Sequence, residues 1–198
     1  MLLREIIPHP PTWIGATYAS LTDMGGVCYI PSGEWHVWGL TFSTAIKANI
    51  LTDENPQGYL TINDLELAAY IANIHLFAPF MAPLEQITTG VDNTAAEIWA
   101  RRGSVNTATA IFPLLREATW INRQAKIHAS INSIPGVENI EADAASRLTH
   151  LPVHTFIQSF NTSFPHPMPW WLPFLPSGVT PRLHTMLLTN HSPKASPL

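Results

Sequence analysis

The chain opens on short stretches in which apolar side chains alternate with polar ones or crowd together. Thr12 to Leu21 is rich in β-formers and small residues and predicts a strand. Gly25-Gly26 introduces a second run, Val27-Cys28-Tyr29-Ile30, and Pro31-Ser32-Gly33 is a turn. Glu34 to Thr41 then alternates, which predicts a third strand and, with connections this short, an antiparallel meander. Asn49 to Gly58 is polar and turn-rich. From Ile62 to Phe80 the period changes: apolar residues fall at 62, 65, 69, 72 and 76, and again at 67, 71 and 74. Steps of three and four predict a helix buried over a wide face and ended by Pro79. Gln86 to Val91 is a short β-rich run, and Asn93 to Arg102 is helical with Gly103 as its stop. Asn106 to Gln124 predicts a helix bent or restarted at Pro113. Lys126 to Ile134 alternates as a fifth strand, and Glu138 to Leu148 is a last short helix. The order βββαβααβα describes a mixed α/β domain: three antiparallel strands, then two further strands, flanked by helices.

Composition narrows the class. A chain of 198 residues, 46% hydrophobic, predicts one domain with a sizeable core. Only 12% is charged and the net charge is −4, which excludes a strongly basic nucleic-acid arm and a highly charged disordered chain. One cysteine, Cys28, excludes an internal disulfide framework and a cysteine-rich zinc module. Inside a predicted strand it reads as a small buried hydrophobe. The nine histidines form no His-Glu-x-x-His pair, and no glycine-rich stretch ends as a phosphate loop does. The N-terminus lacks a secretory core and cleavage site, and no apolar run approaches the roughly 20 residues of a bilayer span. An intracellular location, cytoplasmic or nuclear, is expected, with no membrane partner.

The chain divides near residue 150. All fourteen acidic residues precede that point, and nine of the eighteen prolines follow it. The run from Pro165 to Pro176 favours extended or polyproline II backbone. The expected division is a lead-in over 1–11, a folded domain over 12–150 and an irregular, proline-rich tail over 151–198. Aromatic side chains in that tail are free to pack back on the domain. A groove-docking role for the tail is a separate possibility for function.

Three carboxylates stand out by position. Glu66 lies near the start of the long helix, Asp92 ends the fourth strand, and Asp143 is in the last helix. Ligands of open α/β sheets gather beyond the carboxyl ends of strands, where Asp92 falls. Carboxylates that converge repel one another unless cations neutralise them, and hard divalent ions take oxygen ligands. Each also has a structural reading. Asn63-Asp64-Leu65-Glu66 has capping-box spacing, Asp92 precedes a helix it is placed to cap, and Asp143 stands four residues before Arg147 as an ordinary helical pair.

These residues sit in a series of motifs. Ile14-Gly15-Ala16-Thr17-Tyr18-Ala19-Ser20 with Gly25-Gly26-Val27 comes first, then Ile62-Asn63-Asp64-Leu65-Glu66-Leu67. Val91-Asp92-Asn93-Thr94-Ala95 and Arg102-Gly103-Ser104 follow. Ile134-Pro135-Gly136-Val137-Glu138-Asn139, leading to Ala142-Asp143-Ala144-Ala145-Ser146-Arg147, closes the series. Together, over roughly residues 12 to 150, they resemble the ribonuclease H domain of retroelement reverse transcriptases. The resemblance implies a ribonuclease H-like fold and hydrolysis of RNA in RNA–DNA hybrids by two divalent ions, Mg²⁺ or Mn²⁺, held by four carboxylates. By position, Glu66, Asp92 and Asp143 match the second, third and fourth, as catalytic and metal-ligating residues. The first is missing: the family has Thr-Asp-Ala-Ser where this chain has Thr17-Tyr18-Ala19-Ser20. A phenol with a pKa near 10 is neutral at pH 7 and a poor Mg²⁺ ligand, so impaired activity is expected. Asp23 lies five residues on; an odd offset and the turn carry it away from the sheet centre.

The basic residues Arg101, Arg102, Arg116, Arg123 and Lys126 form the one basic cluster, and Arg101 and Arg102 are the expected nucleic-acid contacts. Residues 1 to 150 nevertheless hold eight basic and fourteen acidic residues, a net of −6, so affinity is expected to be weak and salt-sensitive. Expected partners are an RNA–DNA hybrid or other nucleic acid, and the polymerase part of a reverse transcriptase. The alternative to an impaired nuclease is a non-catalytic nucleic-acid-binding or scaffold remnant of a reverse transcriptase polyprotein.

Overall fold

The computed structural model describes residues 11–103, 111–173 and 178–189. The lead-in before residue 11, Ser104, the predicted helix start at Asn106 and the tail segments 174–177 and 190–198 lie outside the described residues. The strands are β1 (Trp13–Ala19), β2 (Asp23–Tyr29), β3 (Trp35–Thr41), β4 (Gln86–Val91), β5 (His128–Ser133) and β6 (Trp170–Trp171). The helices are α1 (Thr44–Lys47), α2 (Ile62–Phe77), α3 (Thr94–Arg102), α4 (Ile111–Ala125), α5 (Ile140–Arg147), α6 (Val153–Ser163) and α7 (Val179–Leu188).

The sheet runs β5-β4-β1-β2-β3-β6. β1, β2 and β3 are the antiparallel meander, while β4 joins β1 and β5 joins β4 in parallel. The expectation of five strands is corrected to six, because Trp170–Trp171 pairs in parallel with Trp35 and His36 of β3. Helix ends follow their caps. Asn93 accepts a hydrogen bond from the Ala96 N–H at the start of α3, and Gly103 closes that helix in the left-handed region at φ 61°. Pro113 lies in the first turn of α4, where it interrupts no helical hydrogen bond, so α4 runs unbroken from Ile111.

α2 was expected to bury one wide face, but 13 of its 16 residues are buried. The sheet covers one side, and α3, α4 and α7 cover others. A helix that is apolar nearly all round fits such a wrapped position. Its one buried amide, Asn73, is satisfied: it accepts from Trp38 Nε1 at 3.0 Å and donates to Thr89 Oγ1 at 3.2 Å.

The other face of the sheet holds a second, smaller core, in which Val27 and Val37 meet Ala145 of α5 and Phe156 and Phe160 of α6. Gly25 makes this packing possible. A Cβ at that position would lie 2.4 Å from the Ser146 backbone nitrogen, so only glycine lets α5 approach β2 this closely.

The segment after residue 150, expected to be irregular, contains α6, β6 and α7. Its prolines sit where helices tolerate them: Pro152 precedes α6 and Pro181 lies in the first turn of α7. Trp170 anchors the segment by donating its indole N–H to the Phe164 carbonyl at 2.7 Å and packing edge-on against Phe160 at 4.9 Å. Val179, Leu183 and Leu187 of α7 join the main core on the α2 side.

Candidate active site

Four sequence-distant positions meet at the carboxyl ends of β1 and β4. Tyr18 is the penultimate residue of β1, Asp92 follows the last residue of β4, Glu66 sits in the second turn of α2 and Asp143 in the first turn of α5. Their proximity is electrostatic as well as topological. Burial raises the Tyr18 phenol above its ordinary value, and Asp143, Asp92 and Glu66 push it further up against the opposing pull of Arg147. The phenol is therefore neutral throughout the physiological range, as expected from its type.

Glu66 is buried, and its Oε1 accepts the Ala19 N–H at 2.8 Å, which ties α2 to the end of β1. Oε2 is buried with no donor to accept from. Burial, partly opposed by the Ala19 N–H and reinforced by Asp92, pushes the Glu66 carboxyl up to about 9. A carboxyl in that position is protonated at neutral pH and has a hydrogen to offer Asp92. Asp92 is itself raised, first by burial and then by Asp143, although its own backbone N–H and the Glu66 side chain pull it back. The Gly136 backbone lies beside it, with a Cβ there falling 3.4 Å from Asp92 Oδ2. Ile134-Pro135-Gly136 thus forms a wall of the site.

Asp143 meets a different partner. Arg147 Nε donates to both of its oxygens, at 2.9 and 3.0 Å. The pair expected from the four-residue spacing does form, and it forms on the carboxylate that the family pattern assigns to metal. The other structural readings give way. Asp64, not Glu66, closes the start of α2 by accepting from the Thr61 N–H and hydroxyl, each at 2.7 Å. Asn93, not Asp92, caps α3.

Asp23 does not join the group. Its carboxylate accepts from the hydroxyls of Thr41, at 2.7 Å, and Thr149. Burial tends to raise it, but hydrogen bonds from Thr149, Thr22 and Thr41, with Lys47 nearby, leave it lowered. It is a bracing residue between β2, β3 and the chain after α5. Two residues not counted among the expected site residues do shape the site. Arg147 supplies its cation, and Asn139, buried ahead of α5, donates to the Thr17 carbonyl at 2.9 Å and fixes that helix to β1. Their signals were present as the i, i+4 spacing and as the asparagine ending the Val137-Glu138-Asn139 motif.

The donor set does not fit a two-ion centre as it stands. One position offers a phenol, and one carboxylate is held by a guanidinium. Among the described residues no three His, Cys, Asp or Glu side chains are gathered closely enough to hold a metal ion. Of the expected nucleic-acid contacts, Arg101 is tied to Glu97 at 3.0 Å, while Arg102 is exposed in the last turn of α3. No helix among the described residues is long and apolar enough to cross a membrane.

No protein-family profile and no curated protein matches the chain. Solved structures do. LC11-RNase H1, isolated from compost by a metagenomic approach, is 14% identical with a TM-score of 0.50 over 70% of this chain and 94% of that one. RNase H1 from the halophilic archaeon Halobacterium salinarum NRC-1 is 20% identical, with a TM-score of 0.46 over 68% of this chain and 94% of that one. The protease-reverse transcriptase of prototype foamy virus is 16% identical, with a TM-score of 0.40 over 75% of this chain and 20% of that one. The likeness to LC11-RNase H1, at this identity, shows the fold: mixed α/β and ribonuclease H-like.

Proposed function

We propose that this chain is a ribonuclease H-like domain descended from a retroelement reverse transcriptase, with an impaired hydrolytic site that faces nucleic acid. The family chemistry is hydrolysis of the RNA strand of an RNA–DNA hybrid, for which paired divalent ions activate water and stabilise the leaving oxygen. Glu66, Asp92 and Asp143 stand where the second, third and fourth carboxylates belong. The observation that carries the reading is Tyr18, a neutral phenol in the midst of those three groups at the end of β1. It removes a charge where cations have to sit and adds a ring. The motifs around these residues support reverse transcriptase descent, and a polymerase part is the natural partner of such a domain.

A second reading, a non-catalytic nucleic-acid-binding or scaffold remnant, is favoured by the Arg147–Asp143 contact. A guanidinium on the fourth carboxylate supplies internally the positive charge that a cation would otherwise bring.

The test is cleavage of a labelled RNA–DNA hybrid in Mg²⁺ and in Mn²⁺ by the native chain, Tyr18→Asp and Asp92→Asn. The expected result is a native rate about a hundredfold or more below that of Tyr18→Asp, the scale on which metal sites respond to lost ligands or their supports. Native cleavage as fast as that of Tyr18→Asp, and lost in Asp92→Asn, would show an intact site and refute the impairment. Inertness of both the native protein and Tyr18→Asp, each folded, leaves the scaffold reading in its place.

A further inference from the structure

A groove of about 770 Å³ lies between α4 and α7, with Gly103 at its edge. Arg116, Trp120 and Arg123 stand at i, i+4 and i+7 of α4, which places them along one helical face, and Arg182 reaches the same groove from α7. α7 lies beyond residue 150, outside the stretch that resembles the ribonuclease H family, so one wall of this groove comes from α4 within that stretch and the other from the region after it.

Its electrostatics are lopsided. Among the described residues the one acidic side chain lining it is Glu117, which is buried. His75 Nε2 lies 2.8 Å from its Oε1, and an Arg182 nitrogen lies 2.7 Å from its Oε2. Burial holds His75 below its ordinary value even with Glu117 beside it. Arg182 therefore offsets the Glu117 charge, and its guanidinium also rests 4.8 Å from the centre of the Trp120 ring. Arg116 and Arg123 are exposed, and among the described residues neither has an acidic partner within ion-pair distance. Two guanidiniums without an acidic partner thus flank a half-exposed indole that has the Arg182 guanidinium on one face, leaving the other for a ligand.

We propose that the α4–α7 groove binds a nucleic-acid strand, with Arg116 and Arg123 on successive phosphates and a base against the indole of Trp120. Guanidiniums match phosphate oxygens in a fork, and an indole offers a stacking surface to any base. An acidic peptide would use the arginines but leave the indole idle. The proposal rests on the nucleic-acid-facing reading above for its ligand class, but it requires no catalysis.

The test is fluorescence anisotropy with a labelled single-stranded oligonucleotide across a salt series, using the full chain. Arg116→Ala/Arg123→Ala is expected to bind about tenfold or more weakly at low salt, and its log K against log[salt] slope to flatten by about 1.4. Trp120→Leu is expected to lose about tenfold in affinity while leaving the slope nearly unchanged. Both double-arginine positions are exposed, and thermal melting of each variant confirms that the fold survives. Native binding with an unchanged double-arginine variant overturns the groove but leaves the nucleic-acid reading standing. No native binding at low salt overturns both. Competition by polyglutamate as strong as by an oligonucleotide of equal charge overturns the ligand class.

Discussion

The two sides of the carboxylate site solve the same electrostatic problem in opposite ways. On the α2 side, Glu66 is buried deep and keeps its proton. On the α5 side, Asp143 is partly open to solvent and carries its own guanidinium. A carboxylate cluster that binds cations has to tolerate mutual repulsion when the ions are absent. Here the repulsion is already relieved, by a proton on one side and by Arg147 on the other. Tyr18 between them adds no charge. The contrast shows that two carboxyl groups drawn to the same strand ends can be accommodated by different companions, one by a proton and one by a guanidinium.

The packing beneath the two sides offers the largest effect with which to probe this contrast. Gly25→Ala drives a Cβ into backbone atoms of α5, 2.4 Å from the Ser146 nitrogen. The expected loss is about 3 kcal/mol in urea unfolding, with α5 displaced. Gly15→Ala on the α2 side meets the Asn73 amide nitrogen at 2.7 Å and the Val27 carbonyl at 3.1 Å; a side chain rather than a helix backbone has to give, at the expense of the Asn73 bonds to Trp38 and Thr89, and the change is expected to cost less. An equal loss would mean that the two faces are equally rigid.

Next in size is the pH dependence of Glu66. Its folded value of about 9 lies above the ordinary 4.5, so the folded state binds the proton more tightly. The sign follows: the stability linked to this group is fully present below pH 4.5 and is lost as pH rises through 9. Glu66→Gln should flatten that decline and raise stability at pH 7–8 by about 1–3 kcal/mol, read from denaturant midpoints at several pH values. A decline that persists unchanged in the variant would assign it to other groups.

The smallest effect belongs to the α5 side. Arg147→Ala removes an exposed helical pair and should change stability by less than about 1 kcal/mol. Its informative consequence is elsewhere: Mn²⁺ affinity measured by paramagnetic broadening should rise in Tyr18→Asp/Arg147→Ala relative to Tyr18→Asp alone. No difference would show that Arg147 is not a competitor for the cation.

Much of the fold was legible because its periods are simple. The meander, α2, β4 and α5 fall within a few residues of where alternation or three-four spacing puts them, and the αL glycine at 103 ends α3 as its type requires. The site's membership was legible only through motif order, since no local property of Glu66, Asp92 or Asp143 distinguishes a ligand from a cap. Geometry then decided those cases: Asp64 and Asn93 perform the capping. The region after residue 150 was misread because proline was weighed as a breaker, whereas Pro152 and Pro181 occupy helix starts, where the missing N–H costs nothing. The all-round burial of α2 was invisible for a related reason: a helix's periodicity reveals its first contact surface, not a cover supplied by α7 more than a hundred residues later.

That cover makes likeness and autonomy different things in this molecule. The motifs all precede residue 150, yet Leu183 and Leu187 are as deeply enclosed as anything in α2. The motif-bearing stretch leans on its neighbour. Neither can be cut away or transplanted by itself without opening the core that the other closes, so the smallest unit that folds is larger than the stretch its motifs mark out.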